Sequence, residues 1–185
     1  GLLAADGRSD SELSRRLGLA YADYKRLAKL WGHAGVGCKR RLQFLRACVF
    51  SKLLYGLATM WLVKGQLRRL DGFQARCLRR VLGIPAAFVS RISNAEVLRR
   101  ANSTPLSQQL LYRQLVIMGK VARSAADSPL RQDTFVGNSL CPQVGSFIRK
   151  IGRPRQEWTT EVLKAGAAKF GSTLVFEDLL QRCCA

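Results

Sequence analysis

The sequence predicts an all-α fold: a helical bundle around one central buried helix, followed by a loose linker and a small C-terminal helical piece. Three observations predict it. Residues 38–63 are apolar on nearly every face, without period-two alternation and over a length no strand reaches. The segments on either side place apolar residues at three- and four-residue steps, the signature of amphipathic helices. Two Ser-x-x-Glu sequences, Ser9 to Glu12 and Ser93 to Glu96, stand where helices should begin.

Taken in order, residues 1–8 read as the tail of a preceding strand and a turn, with Asp6-Gly7 as the turn signal. The first helix follows Ser9, and Leu13, Leu17, Ala20, Tyr24, Leu27 and Trp31 form one seam along it. Arg15, Arg16, Lys25, Arg26 and Lys29 lie off that seam, and Gly32, Gly35 and Gly37 turn the chain. The central helix opens with Lys39-Arg40-Arg41. Leu42, Leu45, Val49, Leu53 and Met60 cover one side of it, and Phe44, Cys48, Tyr55, Leu57 and Leu62 most of the rest. A helix apolar all round must be surrounded by other elements. A third helix is expected over 66–82, with Leu67, Leu70, Phe73 (or Gln74), Cys77, Leu78 and Val81 inward and Gly83 and Pro85 as terminators. A short helix runs from Ser93 to about Ala101, and Pro105 opens another striped with Leu106, Leu110, Leu111, Leu115, Met118 and Val121. The helical domain therefore spans residues 9–122. Residues 123–152 read as a linker with Pro, Gly, Ser and Asn turn signals, and 153–185 as a small helical segment around Trp158, Val162 and Phe170, ending in a last helix near 174–182.

Charge is the loudest compositional signal. The chain carries 31 cations, 12 anions and a net charge of +19. Residues 1–100 hold 20 cations against 6 anions, and residues 101–185 hold 11 against 6. An excess of this size self-repels unless a polyanion is the partner, which points to nucleic acid. On the third helix Arg69, Arg76 and Arg80 share one side at i, i+7 and i+11, with Arg68 and Arg79 adjacent and Asp71 the only local acid. That side reads as a phosphate-contacting face rather than a merely solvated one.

Catalytic constellations do not emerge. Tyr21-Ala22-Asp23-Tyr24 resembles the aromatic-x-Asp-Asp box of polymerases, but Tyr24 takes the place of the second carboxylate and sits on the core seam, so two metal ions would lack their paired acids. No phosphate-binding loop, nucleophile elbow or zincin motif occurs, and His33, between small residues, reads as a turn residue. Cys38, Cys48, Cys77, Cys141, Cys183 and Cys184 form no C-x-x-C pair and read as reduced thiols, which implies an intracellular setting, nuclear or cytoplasmic. The adjacent Cys183-Cys184 pair has no explanation. A membrane span is the competing reading of residues 47–63, but 17 residues interrupted by Ser51 and Lys52 fall short of the about 20 apolar residues a span needs.

In order along the chain stand D-G-x(4)-E-L-x-x-R-L (residues 6–17), the Ala20–Trp31 seam, L-R-A-C-V-F-S-K-L-L-Y-G-L-A-T-M-W (45–61) and L-R-R-L-D-G-F-Q-A-R-C-L-R-R-V-L-G-I (67–84). They are followed by S-N-A-E-V-L-R-R-A (93–101) and G-R-P-R-x-x-W (152–158). This ordered set resembles the region after the polymerase palm in non-LTR (LINE-type) retrotransposon reverse transcriptases, over about residues 1–165. The resemblance implies a thumb and post-thumb segment leaning on a template–primer duplex. The palm, its metal-binding aspartates and their magnesium would lie upstream, and the start at Gly1 without a Met reads as a piece of a longer chain. The Tyr55-Gly56 to Trp61 element is expected to be structural, inside the buried helix.

The expected function is accordingly non-catalytic binding of an RNA–DNA or DNA duplex, with the palm and fingers of the same polyprotein as partners where intact, no cofactor in this chain and no membrane. The expected contacts are Lys39, Arg40, Arg41, Arg68, Arg69, Arg76, Arg79 and Arg80, with Arg153 and Arg155 as a second group. A free-standing basic helical DNA- or RNA-binding regulator, or a peripheral membrane protein using residues 47–63, are the alternatives.

Overall fold

The computed structural model describes residues 9–33, 35–137, 139–143 and 157–170. The described residues are all-α, and their one β pairing is an isolated antiparallel bridge between Phe135 and Pro142. The elements are α1 (Asp10–His33), α2 (Cys38–Phe44), a π-helical stretch (Leu45–Phe50), α3 (Ser51–Leu54), α4 (Lys64–Val81), α5 (Ala87–Ser90), α6 (Asn94–Arg100), α7 (Leu106–Arg123), α8 (Pro129–Thr134) and α9 (Trp158–Phe170). The chain divides into two compact units, residues 1–110 and 111–185. Among the described residues no helix is long and apolar enough to cross a membrane.

In the first unit α1 packs against the π-helical stretch, α3 and α4, while α4 also meets α2 and α6. The predicted seam of α1 is the buried side: Leu13, Ala20, Tyr24 and Trp31 are buried, and Leu17 and Leu27 half-buried. The inward set of α4 holds as well, with Leu70, Phe73, Cys77, Leu78 and Val81 buried. Gly83, at φ +67, ends that helix in the left-handed region that glycine enters without a Cβ clash.

The central helix differs from the expectation. Helical structure runs from Cys38 through Leu54 and stops there, and residues 55–63 form a turn and an extended segment. The helix is also one-sided. Leu45, Val49, Phe50, Leu53 and Leu54 are buried, whereas Phe44, Cys48, Lys52 and Tyr55 are exposed, Tyr55 to 76%. The π-helical turn brings the adjacent pair Val49-Phe50 onto the core side, an insertion that a regular 3.6-residue period would smear round the helix. Gly56 explains the stop: its φ is +75, and Tyr55 before it is already extended. Leu57, Ala58 and Leu62 then fill the core from the turn, so the long apolar run is one helix face plus a buried loop. The Tyr55-Gly56 to Trp61 element is thus a helix-terminating turn. Arg16 donates to Tyr55 O, and the Ser9 hydroxyl donates towards Trp61 O (3.3 Å) and Gln66 Oε1 (3.0 Å).

Helix ends in this unit are closed from a distance. Ser93 accepts from Glu96 N at 3.2 Å as predicted, but the Glu96 carboxylate turns to Arg99 and Arg100. Arg46, from the π-helical stretch, donates to Ala101 O (2.5 Å) and Asn102 O (2.8 Å) just beyond the C-terminus of α6, where free carbonyls favour a cation. The N-terminus of α7 is capped by α4: Asp71 accepts from Ser107 N (2.9 Å) and Ser107 Oγ (2.7 Å), and the fully buried Gln74 accepts from Leu106 N (2.9 Å) while donating to Thr104 O (2.8 Å).

In the second unit, the segment expected to be a loose linker holds more structure than its turn residues suggest. Pro129 starts α8 at the position where a missing N–H costs nothing. Phe135 is buried, and Val136 N to Cys141 O (2.9 Å) and Gln143 N to Thr134 O (3.0 Å) flank the bridge. α9 buries Val162 and Leu163, near the expected stripe. The predicted strand tail over 1–8, the last helix near 174–182, and Arg153, Arg155, Cys183 and Cys184 lie outside the described residues.

Candidate nucleic-acid interface

Helices α1 and α4 leave a groove of about 690 Å³ between them within the first unit. Leu17, Phe73 and Cys77 line its depth, Tyr21 and Tyr24 one wall, and Arg69, Arg76 and Arg80 the other. The i, i+7, i+11 spacing therefore does bring three predicted arginines onto one surface. Each sits differently. Arg69 pairs with Asp10 (2.5 Å) and donates to Ser14 Oγ (2.8 Å). Arg76 is exposed and, among the described residues, donates to Gly72 O (3.3 Å) on its own helix. Arg80 is exposed beside the Tyr21 and Tyr24 hydroxyls, and hydrogen bonding to Tyr21 holds its guanidinium above the ordinary arginine pKa.

Apart from Asp10 on Arg69, the nearby acids are engaged elsewhere. Asp71 caps α7, Asp23 pairs with Lys52 (2.6 Å), and Glu12 with Arg15 and Arg16 (both 2.7 Å). Arg68, Lys39 and Arg40 are exposed and have no ion pair among the described residues. Arg41 is half-buried and donates to Val36 O (2.6 Å). Cys38 Sγ lies 3.9 Å from Val81 O, so the Lys39-Arg40-Arg41 run starts at the C-terminal end of α4. That is the end carrying Arg80.

Arg79 corrects the predicted site. It is 6% exposed and points into the loop after α4, donating to Ile92 O (2.5 Å), Asn94 Oδ1 (3.1 Å), Pro85 O (3.2 Å) and Ser90 Oγ (3.3 Å). Its guanidinium is a brace for residues 85–94 and cannot reach a phosphate without dismantling them. The i+3 step from Arg76 put it on the flank of the core, where Ala75 and Leu78 are buried too.

Seven members of the groove were not among the predicted contacts: Leu17, Tyr24, Phe73 and Cys77 were expected only as core, and Tyr21, Gly18 and Gly72 as neither core nor contact. The signal for Tyr21 was its place one turn before Tyr24, with which it stacks at 6.5 Å and 14°. For the glycines it was their interior position in strong helices. Lys25 lies 4.7 Å over the Tyr21 ring, a cation–π contact that adds a further positive charge beside the wall. At the depth of the groove, burial pushes the Cys77 thiol up to about 12 although Arg76 and Arg80 pull it down, so it stays neutral and inert.

Among the described residues no three metal-ligating side chains gather. Tyr21-Ala22-Asp23-Tyr24 lies mid-α1, with Asp23 in its ion pair and Tyr24 buried against Trp31 (6.2 Å, 74°). What the arrangement can do chemically is hold anions: guanidinium groups at fixed spacing along a rigid helix, with aromatic walls and few competing carboxylates. No family model, curated protein or solved structure matches the chain.

Proposed function

We propose that this chain is a non-catalytic nucleic-acid-binding module, a thumb-like piece of a non-LTR retrotransposon reverse transcriptase that grips a template–primer duplex by its phosphates. The observation that carries this reading is the cation set Lys39, Arg40, Arg68, Arg76 and Arg80, which has no ion pair among the described residues. These side chains are exposed while Asp10, Glu12, Asp23 and Asp71 are held by other partners. An RNA–DNA hybrid or DNA duplex is the partner that matches a net charge of +19. The ordered motifs over residues 6–158 supply the family. In this reading the paired aspartates and their magnesium belong to an upstream palm, and the setting is nuclear or cytoplasmic.

Contacts of this kind position a duplex without reading its sequence. Reversing two of them, Arg76→Glu with Arg80→Glu, should therefore weaken binding to every duplex alike and flatten the salt dependence by about two phosphate contacts. Unchanged affinity at moderate salt would sink the phosphate-contacting face. A sequence preference that survives the reversal would favour a free-standing regulator instead.

A further inference from the structure

We propose that the groove between α1 and α4 is a pocket for one unstacked nucleotide, its base against the apolar depth and its phosphate on the arginine wall. The proposal rests on the nucleic-acid reading above and goes beyond it, since a phosphate grip alone has no use for a groove with an apolar floor.

The two glycines are the first argument. Gly18 and Gly72 lie inside long helices, and neither is among the glycines with positive φ. A Cβ built on either one would meet nothing within 4 Å. No backbone conformation and no close packing therefore requires glycine at these positions, although alanine would strengthen both helices. What glycine does at both is keep the groove wide. Its volume, about 690 Å³, falls in the range of small-ligand sites, about 300–1,000 Å³.

The lining chemistry selects the occupant. Half-buried Leu17 and the exposed ring of Tyr21 offer the apolar surface, over a floor of buried Phe73 and Tyr24, which suits a planar base. Opposite them, Arg76 and Arg80 offer donors to an anion, and no Asp or Glu is among the described lining residues. Tyr21 is 41% exposed although its ring is large and partly apolar, which leaves surface for a ligand to cover. A nucleotide combines a flat apolar body with a phosphate at one end. An acidic helical peptide would share the charge but needs a longer apolar strip than a space this size provides.

The test uses the full chain and a DNA duplex with a short 3′ single-stranded tail, carrying either 2-aminopurine or an abasic residue at one tail position. The parent should bind the based tail about tenfold more tightly than the abasic one, a difference in the range of one base–aromatic stack, and 2-aminopurine fluorescence should change on binding. Gly72→Leu and, independently, Gly18→Leu should fill the groove and abolish that tenfold difference. Equal binding of based and abasic tails by the parent overturns the pocket, and this comparison needs no variant to fold. Retention of the difference in both leucine variants overturns it too, as does displacement of the fluorescence change by a Leu/Glu-rich helical peptide but not by a mononucleotide. Loss of duplex binding in Arg76→Glu/Arg80→Glu without base discrimination in the parent sinks the pocket alone. Failure of the parent to bind any duplex sinks the phosphate grip beneath it.

Discussion

Arg79 offers the sharpest separation of a structural from a binding role. Its guanidinium is buried, has no carboxylate partner among the described residues, and holds four acceptors of one loop. Arg79→Ala removes two close bonds, to Ile92 O and Asn94 Oδ1, and two longer ones. Hydrogen bonds from a charged donor contribute about 1.5–3 kcal/mol each, so the close pair accounts for about 3–6 kcal/mol. Part of this returns, because the variant no longer buries a cation. Pro85 O keeps the Ser90 hydroxyl as a partner (3.2 Å), while Ile92 O loses its donor. The net expectation is a loss of about 2–4 kcal/mol. Arg79→Lys should recover less than half, since one ammonium cannot span four acceptors. Urea unfolding followed by circular dichroism gives the stability change, and amide hydrogen exchange should show lost protection over residues 85–94. Arg76→Ala, on the exposed side of the same helix, should change stability by less than about 0.5 kcal/mol. A stability loss under 0.5 kcal/mol for Arg79→Ala, with unchanged exchange, would refute the brace.

Further expectations follow from single contacts. Gly56→Ala should cost about 1–2 kcal/mol from the left-handed backbone, while the new Cβ, 2.6 Å from Arg16 Nη2, would push aside only the end of that side chain; a urea midpoint equal to the parent's would contradict the turn. Asp71→Ala should cost about 0.5–2 kcal/mol by uncapping α7, with Asp71→Asn intermediate, read by the same titration. Among Cys38, Cys48, Cys77 and Cys141, only Cys77 should resist alkylation by iodoacetamide until the chain unfolds, as peptide mass spectrometry would show. Glu96 is held down to about 2, first by its hydrogen bond to Arg99 and then by Arg100. Its folded pKa lies below the unfolded value, so whatever stability it lends α6 is present above about pH 4 and lost as pH falls towards 2. Carboxyl-detected NMR titration would measure this, and an unshifted midpoint would contradict it.

Much of the fold was legible because helix periodicity carries it. The α1 seam, the inward face of α4, Gly83 as a terminator and Ser93 as a cap all follow from spacing and local chemistry. The central run misled because composition cannot distinguish a helix apolar all round from a helix face followed by a buried turn. Gly56 was the available clue, and its left-handed φ is what converts one into the other. Linker signals over 123–152 concealed α8 and the Phe135 bridge, since turn residues mark where a chain bends and not whether the bends pack.

The candidate site was legible in its charge and less so in its geometry. Heptad-like spacing put Arg69, Arg76 and Arg80 together. Arg79 was misplaced because helical phase alone sets the flank of a core within about one residue, and the loop that captures it comes from residues 85–94. The trans-capping Asp71 was read as the counter-charge of the arginine face, but its partners are 36 residues away. That reassignment leaves the arginine face more positive than the sequence implied.

The central claim is a sequence-indifferent grip on duplex phosphates, and anisotropy of the purified chain across a salt series tests it most directly. RNA–DNA hybrid, duplex DNA and single strands would be compared at each salt concentration. The five predicted contacts with no ion pair among the described residues imply a slope of log K against log salt of about −4.5 for duplex DNA, little sequence preference and the tightest binding to hybrid. Weak, equal binding to all three with a slope near zero would contradict the claim and reduce the charge of this chain to a general property of its surface.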